Sequence, residues 1–332
     1  MLFNLGSLKL AAAPRNLTLP DEKTPLALSL AELQRSMTSP VLQRLSSPLL
    51  SSKQLELTVL RLDSIHPEIQ GNKWFKLQHN LAHAQQIKCN KIISFGGAYS
   101  NHLYALAAAG SALGLKTVGV VRGEIVEPLN PVIRFLKARG MELIPVSRSD
   151  YRRKEDPDFL QSLLDDHGPA FVIPEGGSNE LGARGCEDIA GLIASALPQD
   201  SHAVTALACG TGTTMAGIVD GFAELGARGS VLGLSVLKAP GFIGESVRES
   251  LRHAKLGALS WSVNDTYHCG GYAKKTPELL RFMDDFQAQH GLPLEHVYTG
   301  KLFFALDSMI RQDSFAPDTH ICAVHTGGIV SL

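Results

Sequence analysis

"AVTALACGTGTTMAG", residues 203–217, joins an apolar run to a turn of glycine and threonine and then to a helical pattern. A strand that enters a helix through such a turn directs several backbone N–H groups and hydroxyls to one spot at the helix N-terminus, where an anion is stabilised. The candidate phosphate-binding residues are Gly210, Thr211, Gly212, Thr213 and Thr214. Many strand-to-helix turns use glycine and threonine, so this motif predicts a phosphate site only in combination with others.

The turn differs from two common nucleotide-binding turns. The dinucleotide fingerprint G-x-G-x-x-G needs a third glycine at position 215, where Met215 stands. A P-loop needs Gly-Lys followed by Ser or Thr, and no such tripeptide follows this turn. A nicotinamide-dependent enzyme is therefore a disfavoured alternative.

Eight short apolar runs, part of the quoted stretch among them, alternate with longer helical patterns. The runs are residues 57–63, 91–97, 116–123, 141–147, 170–177, 203–212, 230–237 and 320–328. This alternation predicts an α/β fold with parallel sheets covered by helices on both faces. Four runs end in glycine-rich turns, at residues 95–102, 174–182, 209–217 and 325–328. Since ligands bind at the carboxyl ends of parallel strands, we expect the four turns to share one ligand.

The composition argues against several classes of partner. The chain has 332 residues, a formal net charge of -1, 44% hydrophobic and 19% charged residues, which is typical of a soluble protein without nucleic-acid or anionic-membrane partners. Its five cysteines are widely spaced without a C-x-x-C pair, so we expect neither a disulfide framework nor a metal site. No run is long enough to span a membrane and no basic region precedes the apolar start, so a cytoplasmic protein is expected.

"GNKWFKLQHN", residues 71–80, places Lys73 and Lys76 one helical turn apart among apolar residues. A buried ammonium is costly unless it is paired or chemically used, so either these lysines reach the surface or one of them reacts. A lysine amine forms Schiff bases with carbonyls, and desolvation gives it the lowered pKa that this needs. Together with the phosphate turn, the pair favours pyridoxal phosphate as a cofactor.

Two further motifs supply candidate site residues. Ser100 and Asn101 of "FGGAYSNH" are either helix N-caps or ligands of a substrate carboxylate and a cofactor hydroxyl, and the local pattern leaves both open. We expect His102 to pack or cap rather than to bind a metal. Tyr272 and Tyr298 each lie close to glycine, and a tyrosine beside a cofactor carries protons, or acts as a nucleophile if its pKa is lowered, whereas an isolated tyrosine belongs to the core.

The motifs "GNKWFKL", "SFGGAYSNH", "GGSNELGARG", "GTGTTMAG", "GYAKKTPE", "VYTGK" and "HTGG" resemble, in this order, those of the family that includes D-cysteine desulfhydrase and 1-aminocyclopropane-1-carboxylate deaminase. The resemblance spans residues 40–332. It implies a homodimeric pyridoxal-phosphate enzyme for a small amino acid, with two open twisted parallel-sheet domains of the tryptophan synthase β-like fold, pyridoxal-phosphate fold type II. The implied large cofactor-binding domain comprises residues 51–74 and 181–332, and the small domain residues 75–180.

The same resemblance implies a role for each candidate residue. Lys73 would be the Schiff-base lysine and the first choice of base, with Lys76 near the phosphate. Asn101 would hold the ring hydroxyl and Thr326 would face the pyridine nitrogen. The residues implied in catalysis are Lys73, Ser100, Tyr272 and Tyr298.

The chain departs from the deaminases at the residue after the second tyrosine, where they have a glutamate and this chain has Thr299, as the desulfhydrases do. This favours β-elimination of D-cysteine to pyruvate, sulfide and ammonia. Aminocyclopropane carboxylate deamination is the alternative, and a non-catalytic small-molecule binding module is the alternative outside the enzymes. Residues 61–69 and the stretch around Lys274 and Lys275 match neither subgroup, so the sequence leaves the substrate and its enantiomer open.

Residues 1–50 mix Pro, Ser, Thr and Leu without a sustained period, and we interpret them as an extension that leads into the first domain. Met37 precedes "TSPVLQRL", so a start at this residue is a hypothesis that the intact mass of the natively expressed protein tests.

Overall fold

Ten strands and twelve helices occur in the part of the chain that the computed structural model describes, residues 27–198, 202–253, 257 and 259–328. The strands are β1 (Val41–Leu45), β2 (Glu56–Arg61), β3 (Lys91–Gly97), β4 (Lys116–Arg122), β5 (Glu142–Val146), β6 (Phe171–Ile173), β7 (Ala203–Cys209), β8 (Gly229–Ser235), β9 (Leu259–Asn264) and β10 (His320–His325). The helices are α1 (Leu30–Arg35), α2 (Pro48–Ser52), α3 (Asn72–Gln86), α4 (Asn101–Leu113), α5 (Pro131–Ala138), α6 (Arg148–Tyr151), α7 (Pro157–His167), α8 (Glu180–Ala194), α9 (Thr213–Glu224), α10 (Phe242–Ser250), α11 (Pro277–His290) and α12 (Thr299–Arg311).

The strands form two open sheets. One has six strands in the order β1-β2-β10-β7-β8-β9, and the other has four in the order β5-β4-β3-β6. Neighbouring strands are parallel except β1 and β2, which are antiparallel. The predicted α/β fold with parallel sheets is confirmed, and each of the eight predicted runs overlaps a strand.

Two strands were not predicted, and both lie at edges of the six-stranded sheet. β9 is one, and β1 is the other, with Val41 53% and Leu42 43% exposed. β1 also corrects the interpretation of residues 1–50 as an extension, because α1, β1 and α2 all form before residue 53. Leu33 of α1 is 2% exposed and packs into the core. Residues 1–26 lie outside the described part of the chain.

All strands of the four-stranded sheet come from residues 91–173, inside the segment predicted to be the small domain. The six-stranded sheet takes its strands from both sides of that segment. We propose that the large domain comprises residues 51–74 and 181–332 and the small domain residues 75–180.

Helix α3 shows how the core positions the site. Leu77, Leu81 and Ala84 recur at helical spacing and are each 0% exposed. Full burial of a leucine side chain contributes about 1.5–3 kcal/mol. The apolar face therefore fixes the helix, and its N-terminus with Lys73 is held at the border of a cleft.

That cleft lies where strands of both sheets end. Its volume is about 790 Å³, and it is lined by residues that follow β3, β6, β7 and β10 and by Arg122 at the end of β4. The location agrees with the rule for ligands of parallel sheets. Within the described ranges, no helix is long and apolar enough to cross a membrane.

Candidate active site

The cleft brings together nearly all residues that the sequence nominated. Its lining includes Lys73, Lys76, Ser100, Asn101, Gly210, Thr211, Gly212, Thr214, Tyr272, Tyr298 and Thr326. The exception is Thr213, which is buried outside the lining. The four glycine-rich turns also border this one cleft, as expected for a shared ligand.

Gly71 joins the start of α3 to the end of β10. It precedes the helix with a φ of 64°, and a Cβ there would lie 1.9 Å from the carbonyl oxygen of Thr326. The N–H of Asn72 donates to this same oxygen at 3.3 Å. Only glycine permits this contact, which places the first turn of α3 against the residue that follows β10.

Lys73 is half-buried where it lines the cleft, and Lys76 is buried. Burial, and then the positive charge of Lys76, lowers the pKa of Lys73 to about 7. Lys76 is 2% exposed, and burial lowers its pKa as well. Its Nζ donates to Thr211 Oγ1 across 3.4 Å. Two amines held together inside the protein suit a site in which one reacts and the other meets an anion.

The turn before α9 has the geometry predicted for an anion site. Gly212 lies in the left-handed region with a φ of 77° and is followed at once by the helix, so the N-terminus of α9 meets the cleft. The hydroxyls of Thr211 and Thr214 also line it. Asn72 Nδ2 donates to Thr214 Oγ1 at 2.8 Å, which ties this turn to α3.

The glycine-rich turn after β6 lies beside the phosphate turn. Thr213 Oγ1 donates to Ser178 Oγ at 2.9 Å, and a Cβ on Gly176 would lie 3.9 Å from Thr211 Cγ2. The Thr213 side chain thus links two turns outside the cleft lining. A phosphate-binding role for this residue would use its backbone N–H, at the first position of α9.

Ser100 caps helix α4 and also lines the cleft, and Asn101 lines the cleft at the first position of the helix. Ser100 is the N-cap of α4, where its Oγ accepts from Leu103 N at 3.2 Å, and it also lines the cleft. Asn101 Oδ1 is buried and has no hydrogen-bond partner among the described residues. A Cβ on Gly328 would lie 3.0 Å from Asn101 Nδ2, so the amide is confined close to the end of β10.

His102 is buried at the lining of the cleft and packs there, as predicted. Ser94 Oγ donates to Ile173 O at 2.7 Å, so His102 Nε2, at 2.9 Å, donates to Ser94 Oγ. Burial, and then the charges of Lys73 and Lys76, holds the pKa of His102 well below its ordinary value. The ring is therefore neutral at physiological pH. Within the described ranges, no group of three or more His, Cys, Asp or Glu residues could hold a metal ion.

The two tyrosines meet across the cleft. Tyr298 Oη donates to Tyr272 Oη at 3.4 Å, and the rings form an edge-to-face pair with centroids 6.1 Å apart. Burial, and then the neighbouring Tyr272, raises the pKa of Tyr298 well above its ordinary value. A phenol with a raised pKa stays protonated, so the suggested nucleophilic role does not suit Tyr298, and the role of proton carrier does.

Glu295 is a site feature that sequence reasoning missed. Its carboxylate accepts from the N–H groups of Val297, Tyr298 and Thr299 at 2.6, 2.8 and 2.7 Å. Burial raises its pKa against the lowering effect of these bonds. Thr299 Oγ1 accepts from Glu295 N at 3.0 Å, so the side chain of each residue accepts from the backbone N–H of the other. Thr299 is 0% exposed. The sequence signal was an acidic residue just before a helix start.

A buried network behind Thr326 was missed as well. Arg61 Nη2 and Asp63 Oδ2 are 2.6 Å apart, and His325 Nδ1 lies 3.0 Å from Asp63 Oδ1. Burial alone would raise the pKa of Asp63, but hydrogen bonds from Arg61 and His325 hold it well below its usual range. The network fixes His325, the last residue of β10, against the turn at Leu62–Ser64. Thr326 is the next residue of the chain. Arg61 and Asp63 of this network lie in the segment, residues 61–69, that departs from the family pattern.

Comparisons with known proteins identify the family of this chain and its fold. The family model described as pyridoxal-phosphate dependent enzyme matches residues 42–327. The chain is 31% identical over 294 residues to the mitochondrial bifunctional D-cysteine desulfhydrase/1-aminocyclopropane-1-carboxylate deaminase of Arabidopsis thaliana, covering 83% of this chain and 73% of that protein. It is 28% identical over 292 residues to the D-cysteine desulfhydrase of Klebsiella pneumoniae, covering 83% and 88%. The crystal structure of an ACC deaminase homologue has a similar fold, with a TM-score of 0.74, 24% identity and coverage of 89% and 91%.

Proposed function

Because the chain belongs to the family of pyridoxal-phosphate dependent enzymes, we propose that it is a lyase that converts D-cysteine and water to pyruvate, hydrogen sulfide and ammonia. Membership of this family rules out the nicotinamide-dependent and non-catalytic alternatives. The observation that carries the choice of reaction is the neutral residue at position 299, where the deaminases resembled by the chain have a glutamate. Thr299 is enclosed and bonded to Glu295 outside the cleft lining, and Thr326 supplies a neutral hydroxyl to the cleft.

The side chains of the cleft fit pyridoxal phosphate. The unpartnered Oδ1 of Asn101 suits a ring hydroxyl, and the turn from Thr211 to Thr214 with Lys76 suits a phosphate. Lys73 offers the amine for the covalent bond, with a pKa lowered to about 7. When bound, the cofactor supplies an electron sink that stabilises negative charge at the substrate α-carbon.

The residues of the chain supply binding and proton transfer. The hydroxyl of Ser100 and the N-terminus of α4 bind the substrate carboxylate. Lys73, with its pKa lowered to about 7, is substantially unprotonated at neutral pH and accepts the α-proton once the substrate amine has displaced it. Tyr298, which stays protonated, donates a proton toward the leaving sulfur, and Tyr272 lies within reach of the same proton.

The substrate choice follows from the charge of the site. A threonine hydroxyl does not keep a pyridine nitrogen protonated as a carboxylate would, and the electron sink is correspondingly weaker. Elimination of sulfide needs a weaker electron sink than opening a cyclopropane ring does, because sulfide is a good leaving group. We therefore place D-cysteine, or a related β-substituted amino acid, before aminocyclopropane carboxylate.

One assay set tests the proposal. Purified enzyme with pyridoxal phosphate is given D-cysteine, L-cysteine, D-serine or aminocyclopropane carboxylate, and sulfide, pyruvate and 2-oxobutyrate are measured. We expect sulfide and pyruvate in equal amounts from D-cysteine, and none above background with Lys73→Ala. Formation of 2-oxobutyrate from the cyclopropane alone, with no sulfide from either cysteine, would reverse the choice.

Aminocyclopropane carboxylate deamination remains the second candidate. The Arabidopsis relative carries both activities in its name and is 31% identical to this chain. Turnover of both substrates in the assay would therefore support a bifunctional enzyme.

We further propose that the enzyme acts as a homodimer in the cytoplasm. The resemblance to the family supports the dimer, and the near-neutral formal net charge of -1 gives no reason to expect a polyanionic partner. Light scattering on the eluting holoenzyme measures the mass, and fractionation of the source cells measures the location.

A further inference from the structure

Residues 267–275, here called the Tyr272 loop, bring Tyr272 to the cleft on an unusual backbone. Gly270 and Gly271 have φ values of 92° and 116°, and Cys269 and Ala273 have φ values of 51° and 54°. A residue with a side chain in this region costs roughly 1–2 kcal/mol. Two such residues in one loop persist only if contacts elsewhere hold the loop in place.

Helix α12 supplies such a contact from inside the protein. Lys301 is 1% exposed, and its Nζ donates to the carbonyl oxygen of Gly271 at 2.7 Å. The same oxygen accepts from Lys274 N at 3.1 Å. Of the described carboxylates, none forms an ion pair with Lys301. Burying an ammonium group whose partner is a single carbonyl oxygen costs free energy. A role for Lys301 therefore lies in the segment whose carbonyl it bonds.

Glu295 and Lys301 stand in comparable positions behind the two tyrosines. Glu295, 2% exposed, fixes the backbone N–H groups around Tyr298. Lys301 fixes the carbonyl directly before Tyr272. The two phenol oxygens are then 3.4 Å apart, although Tyr272 is 47% exposed and Tyr298 is half-buried.

We propose that Lys301 is a positioning residue that holds the Tyr272 loop, so that the Tyr272 hydroxyl stays beside Tyr298 in the cleft. Lys301 does not line the cleft and would act through the Gly271 carbonyl. The effect on turnover rests on the proposed function, whereas the effect on the loop does not. The effect on turnover can therefore be refuted without refuting the effect on the loop.

The test compares the holoenzyme with its Lys301→Met variant, which keeps much of the side-chain volume and removes the donor. Hydrogen exchange of residues 267–276 should become at least about 10-fold faster, while exchange in β4 stays the same. The kcat for D-cysteine should fall about 10- to 100-fold because the phenol is misplaced. Cofactor affinity should stay within about twofold, since Lys301 lies outside the cleft lining.

Two comparisons separate positioning from general stability. Lys91 also donates its Nζ to a backbone carbonyl, that of His167, but in the four-stranded sheet, so Lys91→Met should leave both the loop and kcat unchanged. Tyr272→Phe combined with Lys301→Met should be no slower than Tyr272→Phe alone, because both changes remove one phenol from its place.

Unchanged exchange in the Tyr272 loop of Lys301→Met would overturn the proposal, as would faster exchange throughout the protein or additive losses of kcat in the double variant. Ala273→Gly covers the case in which Lys301→Met does not fold. Glycine accepts the φ of 54° without strain, so the loop should keep its slow exchange while Lys301 is present. Fast exchange in Ala273→Gly would show that the restricted backbone of Ala273, and not the bond from Lys301, holds the loop in position. This result would overturn the proposal.

Discussion

The two walls of the cleft are built in different ways. The cofactor wall, formed by residues 71–76, 210–214 and 326–328, is enclosed, with Lys76 at 2%, Thr214 at 6% and Thr326 at 8% exposure. The substrate wall, formed by Tyr99, Arg122 and the Tyr272 loop, is open, with Tyr99 at 62% and Tyr272 at 47% exposure. The close contact of Gly71 with Thr326 fixes the first wall, and we propose that the bond from Lys301 to Gly271 holds the Tyr272 loop of the second. This difference explains why motifs specify the cofactor more firmly than the substrate.

The largest expected effect within the cofactor wall separates its two lysines. Lys73→Ala should lower turnover by at least about 10²–10⁴-fold, because both the covalent anchor and the base are lost. Lys76→Met should keep the covalent bond and lose the charge beside Thr211, which weakens cofactor binding by about 10-fold or more. Borohydride reduction of the holoenzyme followed by peptide mapping should label Lys73. A label on Lys76 would contradict the assignment of the whole wall.

A pair of glycines tests whether backbone packing fixes the cofactor wall. Gly71 and Gly226 have nearly equal φ values, 64° and 63°, but a Cβ would lie 1.9 Å from Thr326 O at Gly71 and would meet nothing within 4 Å at Gly226. Gly226→Ala should therefore cost about 1 kcal/mol, for the backbone conformation alone. Gly71→Ala should cost about 3 kcal/mol or more, because the chain segments must separate.

Urea unfolding measures both stabilities, and a pyridoxal-phosphate titration measures the cofactor affinity. Gly226→Ala should bind the cofactor like the wild type, whereas Gly71→Ala should lose binding along with stability. Equal stability of the two variants would mean that the contact between α3 and β10 is not what holds the cofactor wall.

The two strands that the sequence missed, β1 and β9, are the edges of the six-stranded sheet, and there is a physical reason for this. Inner parallel strands are buried on both faces and form continuous apolar runs, so β2, β3, β4, β7, β8 and β10 were found. The edges of the four-stranded sheet, β5 and β6, were found as well. The edge strands β1 and β9 expose much of their surface and carry mixed residues, "VLQRL" and "LSWSVN". A search for apolar runs cannot detect such strands.

The site followed the same division. Lys73, Gly210–Thr214 and Thr326 belong to local motifs whose spacing already indicates a ligand. Lys301 and the pair of Asp63 and His325 act through partners that only the folded chain brings near, such as Gly271 for Lys301. Glu295 bonds residues just after it in the chain, and the search for ligand motifs passed over this local capping signal. Thr213 belongs to the phosphate motif, but the motif alone did not show that its side chain bonds Ser178 outside the cleft lining.

The smallest expected effect is a pH dependence that measures the energetic cost of the cofactor wall itself. Burial, and then the charge of Lys76, lowers the pKa of Lys73 from 10.5 to about 7 in the folded chain. Between these values the unfolded chain binds a proton that the folded chain does not, so unfolding takes up a proton. The free energy of unfolding should therefore rise with pH across this window. The penalty is present in full below pH 7 and disappears as the pH approaches 10.5.

Urea unfolding of the cofactor-free wild type and of Lys73→Met between pH 7 and pH 9 measures this cost. A single proton gives a slope of at most about 1.4 kcal/mol per pH unit, so the wild type should gain about 1–2 kcal/mol over the variant across that range. Lys76 is present in both proteins, so to a first approximation its own titration cancels in the comparison. Parallel curves would mean that Lys73 is solvated in the cofactor-free protein. The enclosed wall would then form only when the cofactor binds, and the contrast with the open substrate wall would belong to the holoenzyme alone.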